Sequence, residues 1–149
     1  MSFRNTLLAE AHADIGETAE GLRLVEAALE RVEITNERWT ESETHRVRGR
    51  IFAMVGSVDL ANESFEKAIR IADNQQARLW ALRAEISRFE LIGATGDPTA
   101  QARIAERAGT IVGDATSVDL RAALLIARGE TVDDRSTQNA VLNRSAPTK

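Results

Sequence analysis

Apolar residues recur along the chain at intervals of three and four, with polar residues between them, and almost nowhere in single alternation. That period belongs to amphipathic helices rather than strands. With its capping signals it predicts helices over residues 3–15, 18–34, 38–55, 57–73, 76–93, 98–112 and 118–128. Thr18 and Ser57 stand where N-caps belong. Asp97-Pro98 is a stronger start, because proline at the first helical position forfeits no needed donor. Gly113 and Gly129 suit helix ends. After residue 129 the stretch ETVDDRSTQNAVLNRSAPTK is polar and without sustained period. The expectation is one helical domain over 1–129 and a disordered polar tail over 130–149.

One residue breaks the pattern. In HRVRGRIFAMVG, residues 45–56, Gly49 lies inside a predicted helix, where glycine costs about 1 kcal/mol relative to alanine. Internal repetition supplies a reason. Gly16 and Gly56 are 40 residues apart, and the same offset pairs Ala13 with Ala53, Ile15 with Val55, Val25 with Phe65, Ala28 with Ala68, Leu29 with Ile69 and Arg38 with Arg78. Trp39 and Trp80 follow at nearly that interval, and Gly96 continues the glycine series into a third copy. Within the second copy Gly49, Phe52, Ala61, Phe65 and Ala68 stand at separations of three, nine, four and three.

This set resembles the tetratricopeptide repeat (TPR), whose signature has a glycine, an aromatic residue, then alanine, phenylalanine and alanine at those intervals. The first copy is looser, with Ala9, His12, Gly21, Val25 and Ala28 in the corresponding places and the glycine moved to the second helix. The third has Phe89 in place of the glycine and Gln101 in place of the alanine. The resemblance implies an all-α fold, a right-handed α-solenoid of about three TPR-like hairpins with a C-terminal capping helix. Gly49 and Ala61 would let paired helices approach closely, with Phe52 and Phe65 filling the space beside them. A longer turn around EITNERW would account for a spacing of 40 rather than the 34 usual in that family. Over residues 4–128 the chain is also similar to the C-terminal repeat region of large bacterial signalling proteins. In that family such repeats follow an ATPase domain, often preceded by a nucleotide-cyclase or helix-turn-helix domain. None of those domains' motifs occurs here, so only the scaffold carries over.

Composition narrows the function. The net charge of −4 gives no electrostatic footprint for nucleic acid. The longest apolar runs are too short to span a membrane, and the start MSFRNTLLAEAHADIGE meets acidic residues before any signal-type stretch forms. With no cysteine there is neither disulfide nor thiolate chemistry, and the cytoplasm is the expected compartment. Phosphate-binding loops, nucleophile elbows and HExxH helices are missing from the sequence, so no enzymatic activity and no cofactor are expected. His12 and His45, the two histidines, read as packing residues in signature positions, with a metal or general-base role as the competing reading. The acidic pairs Glu41/Glu43 and Asp133/Asp134 read as solvated surface.

The remaining candidate chemistry is a groove. Mapping the first helix of each hairpin onto the family's inner face selects Glu43, Arg46, Arg50, Ala53 and Met54 from copy two, Thr6, Glu10 and Ala13 from copy one, and Arg83, Ile86 and Glu90 from copy three. Arg46 and Arg50 share one helix face, with Glu43 a turn before them. They form either an intrahelical ion-pair network or a fork for a carboxylate of a partner. Trp39 and Trp80 read as packing between repeats. The implied function is a non-enzymatic scaffold that binds a protein or peptide in the groove. The alternatives are a regulatory or sensory module that takes a small ligand or a companion ATPase domain, and a structural oligomerisation unit. Phe3, Leu7, Leu8 and Ala11 crowd the first predicted helix with apolar side chains, so a homodimer through the first hairpin, or a covering upstream domain, is also expected.

Overall fold

The computed structural model describes residues 2–92, 98–111 and 117–129, and these contain seven α-helices and no strand. The helices are α1 (Ser2–Asp14), α2 (Thr18–Thr35), α3 (Glu41–Met54), α4 (Val58–Asn74), α5 (Arg78–Leu91), α6 (Pro98–Gly109) and α7 (Val118–Ala127), with a 3-10 turn over Arg38–Thr40 ahead of α3. Pro98 opens α6 as expected. Gly96, Asp97, Gly113 and the predicted tail over 130–149 lie outside the described residues.

Each of the first four helices ends on a left-handed residue, and these residues are spaced by twenty: Gly16 (φ 85°), Asn36 (φ 57°), Gly56 (φ 78°) and Gln76 (φ 55°). Three of the ends close in the same way. The N–H of Gly16 donates to the carbonyl of Ala13 and that of Glu17 to His12, Gly56 and Ser57 repeat this on Ala53 and Phe52, and Gln76 and Ala77 on Asp73 and Ala72. These are Schellman closures, which satisfy the last carbonyls of the helix and turn the chain sharply. The tight turns correct two expectations. The 40-residue spacing does not come from a long turn at EITNERW, because Glu33, Ile34 and Thr35 belong to α2 and Arg38–Thr40 leads directly into α3. It comes from long second helices, 18 residues in α2 and 17 in α4. Ser57 occupies the N-cap position of α4 but makes no side-chain cap bond, since the closure holds its backbone at φ −85°, ψ 72° rather than extended. Thr18 is the first helical residue, and Glu17 precedes it as the cap.

Helix α1 packs on α2 and α3 on α4, while α1, α3, α5 and α7 stand side by side, each touching the next. Gly49 and Phe65 make the central contact of the second pair. A Cβ on Gly49 would lie 2.8 Å from Cε1 of the fully buried Phe65 ring. The glycine therefore makes room for the ring itself, while Phe52 stays half-buried under the Arg48 guanidinium, 5.2 Å from its centroid. In the first pair Gly21 does the same work from the second helix, against the Ala9 carbonyl and Ile51, each 3.0 Å from where its Cβ would be. In the third copy Phe89 is buried among Leu82, Ile86, Ala100, Ile104 and Leu120, which seals α5 to α6 and α7.

Candidate functional site

The side-by-side helices α1, α3, α5 and α7 carry one continuous chain of ion pairs. Glu10 and Asp14 lie one turn apart on α1, Glu43, Arg46 and Arg50 follow one face of α3, Arg83 stands on α5 and Asp119 in the first turn of α7. Arg50 donates to Glu10 and, at 3.0 Å, to Asp14. Arg46 donates to Glu10 at 2.7 Å and to Glu43 at 2.7 and 3.0 Å, and reaches the Ser87 hydroxyl at 3.4 Å. Arg83 continues to Glu43 at 3.2 Å and to Asp119 at 2.9 Å. The pairs repeat with the architecture: Glu10–Arg46 and Arg83–Asp119 are both 36 residues apart, Glu10–Arg50 and Glu43–Arg83 both 40.

Above this chain the seam between α1 and α3 is lined by hydroxyls, Ser2 against Thr40 at 3.2 Å and Thr6 against Thr44 at 2.8 Å. Thr6, Ala13 and Ile86 are buried in the packing between helices and offer nothing to a ligand. Arg46 is also buried, at 5% exposure. Burial works against its charge, but Glu43 and Glu10 more than offset this and raise its pKa further. Its fork is thus filled from within, which is the ion-pair reading of Arg46 extended to three helices. Glu10 feels the same balance in reverse: burial opposes its charge, yet Arg46 and Arg50 hold its carboxyl below the usual range. Arg50, Met54, Arg83 and Glu90 keep solvent access, Met54 at 46%. Burial pushes the Glu90 carboxyl upward against the pull of Arg50. The face therefore carries the carboxylates of Glu10, Asp14, Glu43, Glu90 and Asp119 against three guanidiniums, an acidic excess.

Other expectations change with the geometry. Glu41 and Glu43 are not solvated surface but buried at 8% and 5% exposure, because Arg38 reaches the first and Arg46 and Arg83 the second. Asp133 and Asp134 lie outside the described residues. His12 does not pack in the core; it is half-exposed, with Nδ1 2.5 Å from Glu17. His45 is buried, its Nδ1 without a hydrogen-bond partner, and burial, reinforced by Lys67, Arg48 and Arg70, pushes its pKa down to about 3. Asp14, Asp119 and Ser87 belong to the site and went unread. The repeat spacing was the available signal for Asp119, 36 residues after Arg83 as Arg46 is after Glu10. On α1 the apolar residues Phe3, Leu7 and Leu8 are exposed at 36%, 49% and 44%.

Among the described residues no group of His, Asp and Glu could hold a metal ion, and no helix is long and apolar enough to cross a membrane. Comparison with protein-family models, with curated proteins and with solved structures finds no match to this chain.

Proposed function

We propose that the chain is a TPR-like right-handed α-solenoid that acts as a non-enzymatic scaffold, binding a partner protein on the face formed by α1, α3, α5 and α7. The observation that carries this reading is the ion chain itself. Four helices that are not consecutive in sequence are held edge to edge by pairs recurring at the repeat spacing, and stacked repeats of this kind present extended surfaces for recognition. The acidic excess fits a partner that brings basic side chains to Asp14 and Glu90 and an apolar one to Met54. Recognition by the arginines gives way to recognition by the carboxylates, since Arg46 is already committed internally.

The test is capture of partners from the source cell by the full chain and by the double variant Asp14→Lys, Glu90→Lys. Both positions are exposed, so the variant should keep its helical circular dichroism. Loss of a salt-sensitive partner from the variant supports the reading. Equal capture by both chains overturns it.

A further inference from the structure

A second surface shares no residue with the ion chain. Phe3 at the start of α1, Trp39 in the 3-10 turn ahead of α3 and Trp80 near the start of α5 form a row of rings. Phe3 and Trp39 are 5.4 Å apart and tilted at 42°, and Trp39 and Trp80 are 6.3 Å apart and stacked at 29°. The two tryptophans do pack between repeats, yet Trp39 remains 57% exposed. Beside them runs an open groove of about 500 Å³ lined by Trp39, Gln75, Ala77, Arg78, Leu79 and Trp80. Its floor is tied down by Gln75, whose Nε2 donates to the Arg38 carbonyl at 2.7 Å. Arg78 also lines a neighbouring groove of about 430 Å³ with Arg103, Arg107, Asp73 and Glu106.

The arginines of this second groove are unequally occupied. Arg107 forks onto Asp73 at 2.7 and 2.9 Å, and both Arg103 and Arg107 lean toward the buried Glu85. Among the described residues Arg78 makes one hydrogen bond, from Nη1 to the Thr110 carbonyl at 3.0 Å, so most of its donors are unused there. The three guanidiniums meet three carboxylates, Asp73, Glu85 and Glu106, so the groove is balanced overall, and Arg78 is the arginine that no carboxylate pairs with among the described residues. An apolar strip of indoles therefore runs up to the guanidinium of Arg78. Exposed tryptophan and arginine side by side are also the residue types that dominate binding energy in protein interfaces.

We infer that this ledge is a docking site for a peptide segment of a partner protein, one that lays an aromatic side chain on the exposed Trp39 in the groove beside Trp80 and sets an acidic residue against Arg78. The strip is open and crosses the starts of three helices, which suits an extended segment. The chain's own last twenty residues, ETVDDRSTQNAVLNRSAPTK, hold no aromatic residue to fill the place.

Trp39 and Trp80 are the chain's two tryptophans, so intrinsic fluorescence reports on this surface alone. The probe is a phage-displayed library of random dodecapeptides selected on the full chain. The expected result is enrichment of sequences with an aromatic residue followed within a few positions by Asp or Glu. A synthetic member should shift the tryptophan emission, and its affinity should fall at least tenfold in Trp39→Ala and in Arg78→Glu. Arg78 is exposed, so Arg78→Glu tests the idea even where a tryptophan variant unfolds. An absence of enrichment, enrichment of basic peptides, or binding unchanged in Arg78→Glu overturns the inference. So does a dimer in sedimentation that Trp39→Ala dissolves, which would give the ledge to a second copy. Each of these outcomes leaves the acidic face untouched, because Asp14 and Glu90 take no part in them.

Discussion

A Cβ placed on Gly49 would lie 2.8 Å from one carbon of the Phe65 ring and 2.9 Å from the next, closer than side chains tolerate. Alanine there should gain about 1 kcal/mol of helix propensity but lose about 1–3 kcal/mol to overpacking against a ring that cannot retreat. Gly49→Ala is thus expected to lower the midpoint of chemical denaturation, whereas an open helical site would raise it. The sequence marked both residues but set Gly49 against Ala61 with Phe65 beside them, whereas the ring itself occupies the space that the glycine leaves. The environment of His45 was legible only as burial. That its Nδ1 would lack a partner, with Lys67, Arg48 and Arg70 as its charged neighbours, depends on α4 and could not be read from spacing. The consequence is a pH dependence. With a folded pKa of about 3 against 6.5 for the free side chain, the unfolded chain binds the extra proton, so stability is full above 6.5 and falls as pH drops toward 3. Between pH 6.5 and 4.5 most carboxylates remain ionised, and this one proton should cost about 2–3 kcal/mol over the two units. Glu90, raised by burial, acts with the opposite sign, so the measurement is the difference in slope between wild type and His45→Leu. Parallel stability curves for the two chains in that window would show that His45 is protonated freely in the fold.

The helices themselves were almost fully legible, since amphipathic period and caps place them to within a few residues. Their stops were less so. Two of the four left-handed ends carry glycine, as turn chemistry demands, but Asn36 and Gln76 hold the same conformation without it. Gln76 was unreadable because a side chain with a Cβ normally avoids that region, and here the Schellman bonds to Asp73 and Ala72 impose it. The strain makes an element-level prediction. Gln76→Gly should relieve it and stabilise the protein by up to about 1 kcal/mol, while Gly56→Ala, at the equivalent end of α3, should destabilise by a similar amount. Opposite shifts in thermal midpoint would check both. A loss of stability in Gln76→Gly would mean that the glutamine side chain contributes more than its backbone costs. The same reasoning explains the misread spacing. A period of 40 can be reached by longer turns or longer helices, and the twenty-residue rhythm of the helix ends selects the helices.

At the scale of the molecule the sequence offered an ion-pair network for Arg46 and Arg50 within one helix, and the structure spreads it over four. Arg46 and Arg50 share a helix face in the sequence, but beside Glu43 of α3 the carboxylates that fill them come from α1, and Arg83 reaches α7 as well. Such pairings are properties of the stack rather than of any helix. Because each helix touches chiefly its neighbours, the ion chain is a polar link that crosses four of them, and Arg46 is its centre. Removing one partner of a buried pair typically costs about 3–5 kcal/mol, since the other charge is left without compensation. Arg46→Ala should fall at the low end, near 3 kcal/mol, because Glu43 keeps Arg83 and Glu10 keeps Arg50. Arg46→Met with Glu43→Gln should restore much of that loss by removing both charges while retaining volume, so the double-mutant cycle in urea should be strongly non-additive. Where stability is shared between neighbouring units, a cut at the centre also weakens their coupling. Arg46→Ala should therefore broaden the unfolding transition, with the α1–α2 pair losing helicity before α5–α7. Additive energies, or a single transition of unchanged steepness, would show that the four helices are held together by their apolar contacts and that the ion chain only decorates the face.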